Sequence, residues 1–363
     1  MDILIIATRD IRNRYKFVLE PIKLLKYCNV TLFKNQGSLV KFIFKSIKFA
    51  LKNQKHFDYI IHVGGGFDGF FWSILAKIII KSPFLLRIGG NPNPFEKNEI
   101  LHLLRSWRFS KFIARMIRYY CFKMTINFVN CIIVVNNSLA KQLYQHSNLK
   151  KIKIVVIPQP VLEDICHRNI SGEVYAERIQ LLTVTNLSYK SKFDGVKRII
   201  DYLIKFVSEN DLNIKVNFDI LGGGLYSKDL RKYINSVYYR YRYGYKLSIA
   251  FHGFKSELQE FYKRADIFLY CSNLDALPNV LLEAKAFGLP ILINRYEPFY
   301  DVLQEGTNAL YFDDYIDFAK KFKILIYNNE LRNKIIENNI QNIRDNYSVS
   351  AIAQKYEKLF KHP

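Results

Sequence analysis

Cys271-Ser-Asn-Leu-Asp275-Ala-Leu-Pro278-Asn-Val-Leu-Leu-Glu283-Ala-Lys-Ala-Phe-Gly288-Leu-Pro290-Ile-Leu-Ile293 reads as strand end, loop, helix and strand in succession. The apolar run Ile267–Cys271 brings a buried strand to the loop, and Pro278 suits the first helical position because it lacks a donor that would go unused there. The helix runs to about Phe287, Gly288 stops it, and Pro290 leads into a second buried strand. In open parallel sheets ligands bind beyond the carboxyl ends of the strands, which is where this loop and helix start belong. The N–H groups of Asn279, Val280 and Leu281, at the positive end of the helix dipole, suit a diphosphate. Glu283, about one and a half turns in, can accept from a ribose diol whose phosphates sit at the helix start. Asp275, earlier on the loop, reaches instead toward the hydroxyls of a transferred sugar. A helix cap with a solvated carboxylate is the plainer reading of the same two acids.

Outward from this unit, short β-branched runs alternate with amphipathic stretches along the whole chain, the pattern of parallel α/β units. Strands are expected at Ile3–Ala7, Val30–Phe33, Tyr59–Val63, Phe84–Ile88, Cys131–Val135 and Ile154–Ile157, then at Gln180–Thr185, Lys215–Leu221, Leu247–Phe251, Ile267–Cys271 and Pro290–Ile293. Pro158-Gln-Pro160 interrupts the series. The 363 residues are long for one core and fit two domains. The expected layout is 1–162, a linker at 163–178, a second domain at 179–345, and a helix at 346–363 crossing back to the first. The fold class is α/β, with two Rossmann-like, doubly wound parallel-sheet domains facing across a cleft.

Three further segments bear on function. Leu181-Leu-Thr-Val-Thr185-Asn186-Leu-Ser-Tyr-Lys190-Ser-Lys192-Phe-Asp-Gly195 leaves a strand, makes a polar loop and enters a helix; Phe218-Asp-Ile-Leu221-Gly222-Gly-Gly224 and Ile249-Ala-Phe-His252-Gly253-Phe end strands in glycine turns. With Asp275, seven residues, Glu283 and then Ala284-Lys-Ala286-Phe-Gly288-Leu-Pro290, the chain resembles the retaining glycosyltransferases of family 4 over roughly residues 180–345. That resemblance implies the GT-B fold and transfer of a hexose or other sugar from a UDP- or GDP-sugar, with retained configuration and no metal or other cofactor. The acceptor would be a glycan or lipid-linked molecule, in cell-surface polysaccharide or lipopolysaccharide biosynthesis. Asp275 and Lys192 would be the catalytic residues, with Glu283, Asn279, Val280, Leu281, Asn186, Gly222 and Gly253 binding the donor. Asp275 stands where the family usually has Glu. Asn186 stands where it has Arg, which leaves Lys192, or Lys190, to neutralise the leaving diphosphate.

The first half matches only in pattern. Ala7-Thr-Arg9-Asp-Ile-Arg12-Asn replaces the family's glycine turn, while Gly64, Gly65 and Gly66 follow a strand and, with Arg87, are expected on the acceptor side of the cleft. Its charge is distinctive. Of the net +22, residues 1–160 hold 26 Lys/Arg against 7 Asp/Glu, so the excess lies almost wholly there. Lys41, Lys45, Lys48, Lys52 and Lys55 recur at helical spacing, as do Arg105, Arg108, Lys111, Arg115 and Arg118 among aromatic and aliphatic residues. Both stretches read as helices docking on an anionic membrane surface, against the plainer reading of solvated surface helices.

No apolar run is long enough to span a bilayer, and the start at Met1 reads as a strand rather than a signal peptide. The five cysteines are scattered and never spaced Cys-x-x-Cys, which points to a reducing compartment. The expected location is cytoplasmic, peripheral on the inner face of the cytoplasmic membrane. No Asp-x-Asp pair or metal-ligand spacing occurs, so no metal site is expected. A sugar-nucleotide epimerase of the same architecture would need an acid–base pair that the first half does not offer. A non-catalytic basic protein binding nucleic acid would need a recognition motif, and none appears.

Overall fold

Runs of β-branched residues become parallel strands throughout, and the amphipathic stretches between them become crossover helices. The computed structural model describes residues 1–8, 14–35, 38–64, 66–89, 109–145, 152–162, 177–241, 246–274 and 277–362. The chain divides into two units, Met1–Leu162 with Tyr347–Pro363, and Glu163–Asn346.

In the first unit β1 (Asp2–Thr8), β2 (Asn29–Asn35), β3 (Tyr59–Val63), β4 (Phe84–Ile88), β5 (Cys131–Val134) and β6 (Lys153–Val156) form one sheet in the order β2-β1-β3-β4-β5-β6. All its pairs are parallel. Its helices are α1 (Lys16–Lys23), α2 (Leu39–Lys52), α3 (Phe67–Leu75), which continues as a π turn over Ala76–Ile80, α4 (Phe109–Ile126) and α5 (Asn137–Gln145). The step from β1 to β2 runs one way across the sheet, and the steps from β2 through β5 run the other. Right-handed crossovers therefore put α1 on one face and α2, α3 and α4 on the opposite one. Packing agrees: Val18 and Ile22 of α1 join Ile3, Ile5, Ile61 and Ile133 in one core cluster. On the other side Phe33 meets Phe49 and Trp72 edge-on, and α3 packs on α4.

The C-terminal helix Val349–Lys361 completes the α1 face, with Ile352, Tyr356 and Phe360 in the same cluster. Ser348 caps it by accepting from the Ala351 N–H at 3.2 Å. Arg87 fixes it further and corrects the sequence reading. Expected on the acceptor side of a cleft, Arg87 is only 4% exposed and lies beneath this helix. Its guanidinium donates to the carbonyls of Ile157 (3.0 Å) and Pro158 (3.2 Å) and to the Tyr356 hydroxyl (3.1 Å). Burial of a cation requires such partners, and they are used up here. Arg87→Met should leave three buried acceptors unpaired and cost about 2–4 kcal/mol. A fall in Tm is the expected outcome; an unchanged Tm would deny the anchoring role.

The second sheet contains β7 (Arg178–Val184), β8 (Lys215–Leu221), β9 (Leu247–Gly253), β10 (Ile267–Tyr270), β11 (Ile291–Asn294) and β12 (Leu310–Phe312) in the order β12-β11-β10-β7-β8-β9. Counted from β7 this is the 3-2-1-4-5-6 order of dinucleotide-binding sheets. Its helices are α6 (Lys190–Glu209), α7 (Ser227–Tyr241), α8 (Gln259–Arg264), α9 (Asn279–Ala286), α10 (Tyr315–Tyr327) and α11 (Asn329–Asn346). Val196, Ile200 and Leu203 of α6 and Phe318 and Phe322 of α10 pack with Leu181, Ile220, Leu269 and Leu292 of the strands. Among the described residues no helix is long and apolar enough to cross a membrane.

Candidate functional site

The strand order of the second sheet reverses between β7 and β10, and in open parallel sheets the ligand crevice lies beyond the carboxyl ends at that point. The turn Thr185–Ser188 and the start of α6 border it on one side, the loop from β10 to α9 on the other. Glycines set the first border. Gly222 has φ +140°, and a Cβ there would stand 1.8 Å from the Thr185 carbonyl oxygen; one on Gly224 would stand 2.4 Å from Leu187 backbone. The glycine turn can therefore press against the β7 turn, and backbone bonds lock the two together. Leu187 N–H donates to the Gly223 carbonyl (3.1 Å), and Gly222 N–H to the Gly253 carbonyl (2.8 Å). Gly222 and Gly253, expected at the donor, thus brace this turn from behind. Asn186 accepts from the Ser188 N–H at 3.1 Å, which closes the turn locally.

Lys192 also needs correction. The expectation placed it on the polar loop before the helix, but α6 already begins at Lys190, whose ammonium pairs with Asp194 at the surface. Lys192 is 3% exposed, and its ammonium donates to the Tyr270 hydroxyl at the end of β10. This approach depends on Gly195, where a Cβ would fall 1.9 Å from the Cys271 carbonyl oxygen. Burial pushes the Lys192 pKa down to about 7. The neighbouring Cys271 thiol is pushed up to about 11 by burial, and burial likewise raises Tyr270, whose hydroxyl also bonds Thr185.

Across the crevice the loop after β10 is held by Asn294, a residue that sequence reading missed. Asn294 is 4% exposed; its side chain accepts from the Ser272 N–H (2.8 Å) and donates to the Asn273 side-chain oxygen (2.8 Å). The signal was available as one amide ending the apolar run Ile291–Ile293. Ser272 in turn accepts from the Leu274 N–H at 3.2 Å, so the loop is ordered up to the residue before Asp275. Asp275 itself lies outside the described residues.

Pro278 caps α9 instead of occupying its first helical position, and the Leu281 N–H donates to the Pro278 carbonyl at 3.1 Å. The expectation for Leu281 is corrected accordingly: its N–H closes the first turn, which leaves the N–H groups of Asn279 and Val280 at this helix start. Glu283 is half-buried one turn further on and accepts from the Tyr262 hydroxyl at 2.8 Å. Tyr262, on α8, is 1% exposed and stacks on Phe287 with ring centroids 5.2 Å apart, so it holds the carboxylate in one orientation. Asp219 on β8 bonds Arg264 and so ties down α8, and it also meets His252 at 2.6 Å. The back of α9 is anchored by Lys285, which is fully buried, has its pKa pushed down to about 7, and donates to the Val302 carbonyl at 2.9 Å.

In the first unit Gly64 (φ +101°) and Gly66 (φ +110°) end β3 where that sheet reverses between β3 and β1, and Gly66 caps α3. Buried His62 bonds the Gly64 carbonyl oxygen at 3.0 Å. Gly65, Arg105 and Arg108 lie outside the described residues, as do the side chains of Lys111 and Arg115. Arg118 is exposed beside Gly66.

Residues 173–342 match the family model described as glycosyl transferases group 1. The chain is 23% identical over 293 residues, 79% of its own length and 70% of the other's, to GalNAc-alpha-(1->4)-GalNAc-alpha-(1->3)-diNAcBac-PP-undecaprenol alpha-1,4-N-acetyl-D-galactosaminyltransferase of Campylobacter jejuni. It is 28% identical over 113 residues, 31% of this chain and 33% of the relative, to the lipopolysaccharide core biosynthesis glycosyltransferase LpsE of Rhizobium meliloti. Among solved structures, HepE of Anabaena in complex with UDP and glucose superposes with a TM-score of 0.70 over all of both chains at 14% identity. The chain has the GT-B fold, and together these matches support a glycosyltransferase.

Proposed function

We propose that the protein transfers a sugar, with retained configuration, from a nucleoside-diphosphate sugar to a glycan or lipid-linked acceptor in cell-surface polysaccharide or lipopolysaccharide biosynthesis. The observation that carries this reading is Glu283, oriented by Tyr262 one turn from the start of α9, at the strand reversal that also holds Lys192. The diphosphate meets the N–H groups of Asn279 and Val280 and the Lys192 ammonium, and the ribose diol donates to Glu283. Asp275 accepts from the transferred sugar's hydroxyls, and the glycine turn at Gly64–Gly66 faces the acceptor. The acceptor oxygen attacks from the leaving-group side, its bond to the anomeric carbon forms as the bond to the β-phosphate oxygen breaks, and that oxygen takes the proton. Positive charge from Lys192 and the α9 dipole stabilises the leaving diphosphate, so no metal is assigned a role.

The donor is a UDP- or GDP-sugar; the UDP bound by HepE supports uridine. The C. jejuni relative, whose name specifies an undecaprenol-linked substrate, supports a lipid-linked acceptor, and with such an acceptor the protein would act peripherally on the inner face of the cytoplasmic membrane. Thermal shifts against a panel of sugar nucleotides test the reading, followed by NMR of the product's anomeric configuration. One donor should raise Tm and give a retained product. A panel in which no sugar nucleotide shifts Tm, or conversion of the donor without any acceptor, would overturn it.

A further inference from the structure

Helix α4 presents its apolar side to solvent. Phe109, Ile113, Ile117, Tyr120 and Met124 are 47 to 57% exposed, and their intervals of four, four, three and four trace one line along the helix. Phe122 and Thr125, on the side turned to the protein, are buried. Helix α2 repeats the arrangement: Val40, Phe44 and Leu51 are 63, 70 and 54% exposed, while Phe42, Ser46 and Ala50 are buried. The π turn after α3 adds Ile78 at 63%. All three elements cover the same face of the first sheet, and soluble monomers ordinarily scatter such residues singly.

The charge on the two striped helices is of one sign, and Asp68 in the first turn of α3 is the acid that approaches α4 among the described residues. Lys41, Lys45, Lys48 and Lys52 are exposed in a row flanking the α2 stripe, and neither α2 nor α4 contains an acid. By contrast, positions 111, 115 and 118 fall well round α4 from its exposed apolar line, so the cations nearest an apolar stripe are the α2 lysines. A second copy docked symmetrically would bring lysine rows together without any acid from α2 or α4 to meet them. Anionic lipid supplies the complement: phosphates for the row and acyl chains for the stripes.

We propose that the α2–α4 face seats in the headgroup–acyl boundary of an anionic bilayer, with Val40, Phe44, Ile113 and Ile117 dipping below the phosphates. This deepens the peripheral-membrane part of the proposed function and rests on no step of the chemistry. Insertion, more than surface attraction, then holds the protein at the membrane, and salt removes only part of the binding.

The test is co-flotation with phosphatidylcholine vesicles with and without about one third phosphatidylglycerol. Wild type should float with the anionic vesicles and much less with neutral ones. The double variant Phe44→Asp, Ile117→Asp should lose at least about tenfold in vesicle affinity at low salt. The quadruple Lys41, Lys45, Lys48, Lys52→Gln variant should lose the salt-sensitive part. Both should keep wild-type sugar-nucleotide affinity, and the double variant wild-type Tm, since Phe44 and Ile117 face outward; the quadruple variant loses slightly in Tm because Lys45 also donates to the Lys34 carbonyl at 3.3 Å and lies over the Phe33 ring. Independently of those substitutions, Ile117→Trp should add an emission that shifts to the blue on anionic vesicles. Wild-type flotation of the double variant, an added Ile117→Trp emission that does not shift, or a wild-type dimer that the double variant breaks without loss of vesicle binding would each overturn the proposal. A protein that floats as expected yet binds no sugar nucleotide would remove the glycosyl-transfer reading and leave the docking face standing.

Discussion

Glu283→Ala loses sugar-nucleotide affinity by about two to three orders of magnitude, and turnover falls with it, while Tm stays near the wild-type value. The size follows from the assigned contacts. A ribose diol donates twice to one carboxylate, and each such charge-assisted bond contributes roughly 1.5–3 kcal/mol. At the lower end of that range, roughly 1.5–2 kcal/mol each, the loss of both is about 3–4 kcal/mol, or two to three decades in Kd. Tyr262 provides the internal control. Its hydroxyl orients the carboxylate but is not assigned to the ligand, so Tyr262→Phe should weaken binding by only about tenfold, the cost of a carboxylate that must be re-ordered on each binding event. Calorimetric titration with the donor found in the panel measures both variants. Wild-type affinity in Glu283→Ala would remove the ribose assignment, and a Tyr262→Phe loss as large as that of Glu283→Ala would mean that Tyr262 touches the ligand directly.

The parts of the fold read from sequence are those written in local chemistry. Tyr59–Val63, Phe84–Ile88 and Lys215–Leu221 were delimited to the residue because turn formers bound each apolar run. β12 was missed because three residues cannot show a period. The unit from Cys271 to Ile293 was legible because Pro278, Gly288 and Pro290 act on their own backbone, and even there the cap was displaced by one residue. Errors gathered where a side chain's surroundings come from distant segments. Arg87 looks like a free cation in sequence, and its partners lie 70 or more residues away. Lys192 reads as a loop residue in sequence, and its burial appears only when Gly195 lets α6 settle on the Cys271 carbonyl. The outward stripe on α4 shows the same lesson reversed. Its period is plain in the sequence, but periodicity does not say which side of a helix the sheet will cover.

The burial of Lys192 leads to a second large effect, on pH. In the free protein its ammonium titrates near 7, against 10.5 for an ordinary lysine, because it has lost its water. A bound diphosphate supplies opposite charge and raises that value again, so binding takes up a proton wherever the free lysine is neutral. Affinity is therefore fully present below about pH 7 and falls as pH rises, by up to about tenfold per unit, until the bound-state pKa is reached. Folding stability responds in the opposite sense: the unfolded chain holds this proton up to 10.5 and the folded one does not, so this residue's contribution to stability increases with pH above about 7. The nearest titratable neighbours stay silent in that range, since burial holds Cys271 near 11 and raises Tyr270. Between pH about 6.5 and 8.5 the diester diphosphate of an intact sugar nucleotide keeps a constant charge, so the donor adds no slope of its own. Calorimetry in two buffers of different ionisation enthalpy should show net proton uptake at pH about 8 in wild type, and none in Lys192→Arg, whose guanidinium stays charged. Tyr270→Phe removes the oxygen that accepts from the ammonium, which should move the break in affinity to lower pH. A wild-type affinity that is flat across the window, with no proton taken up, would mean that Lys192 never meets the diphosphate and serves only to hold α6 against β10.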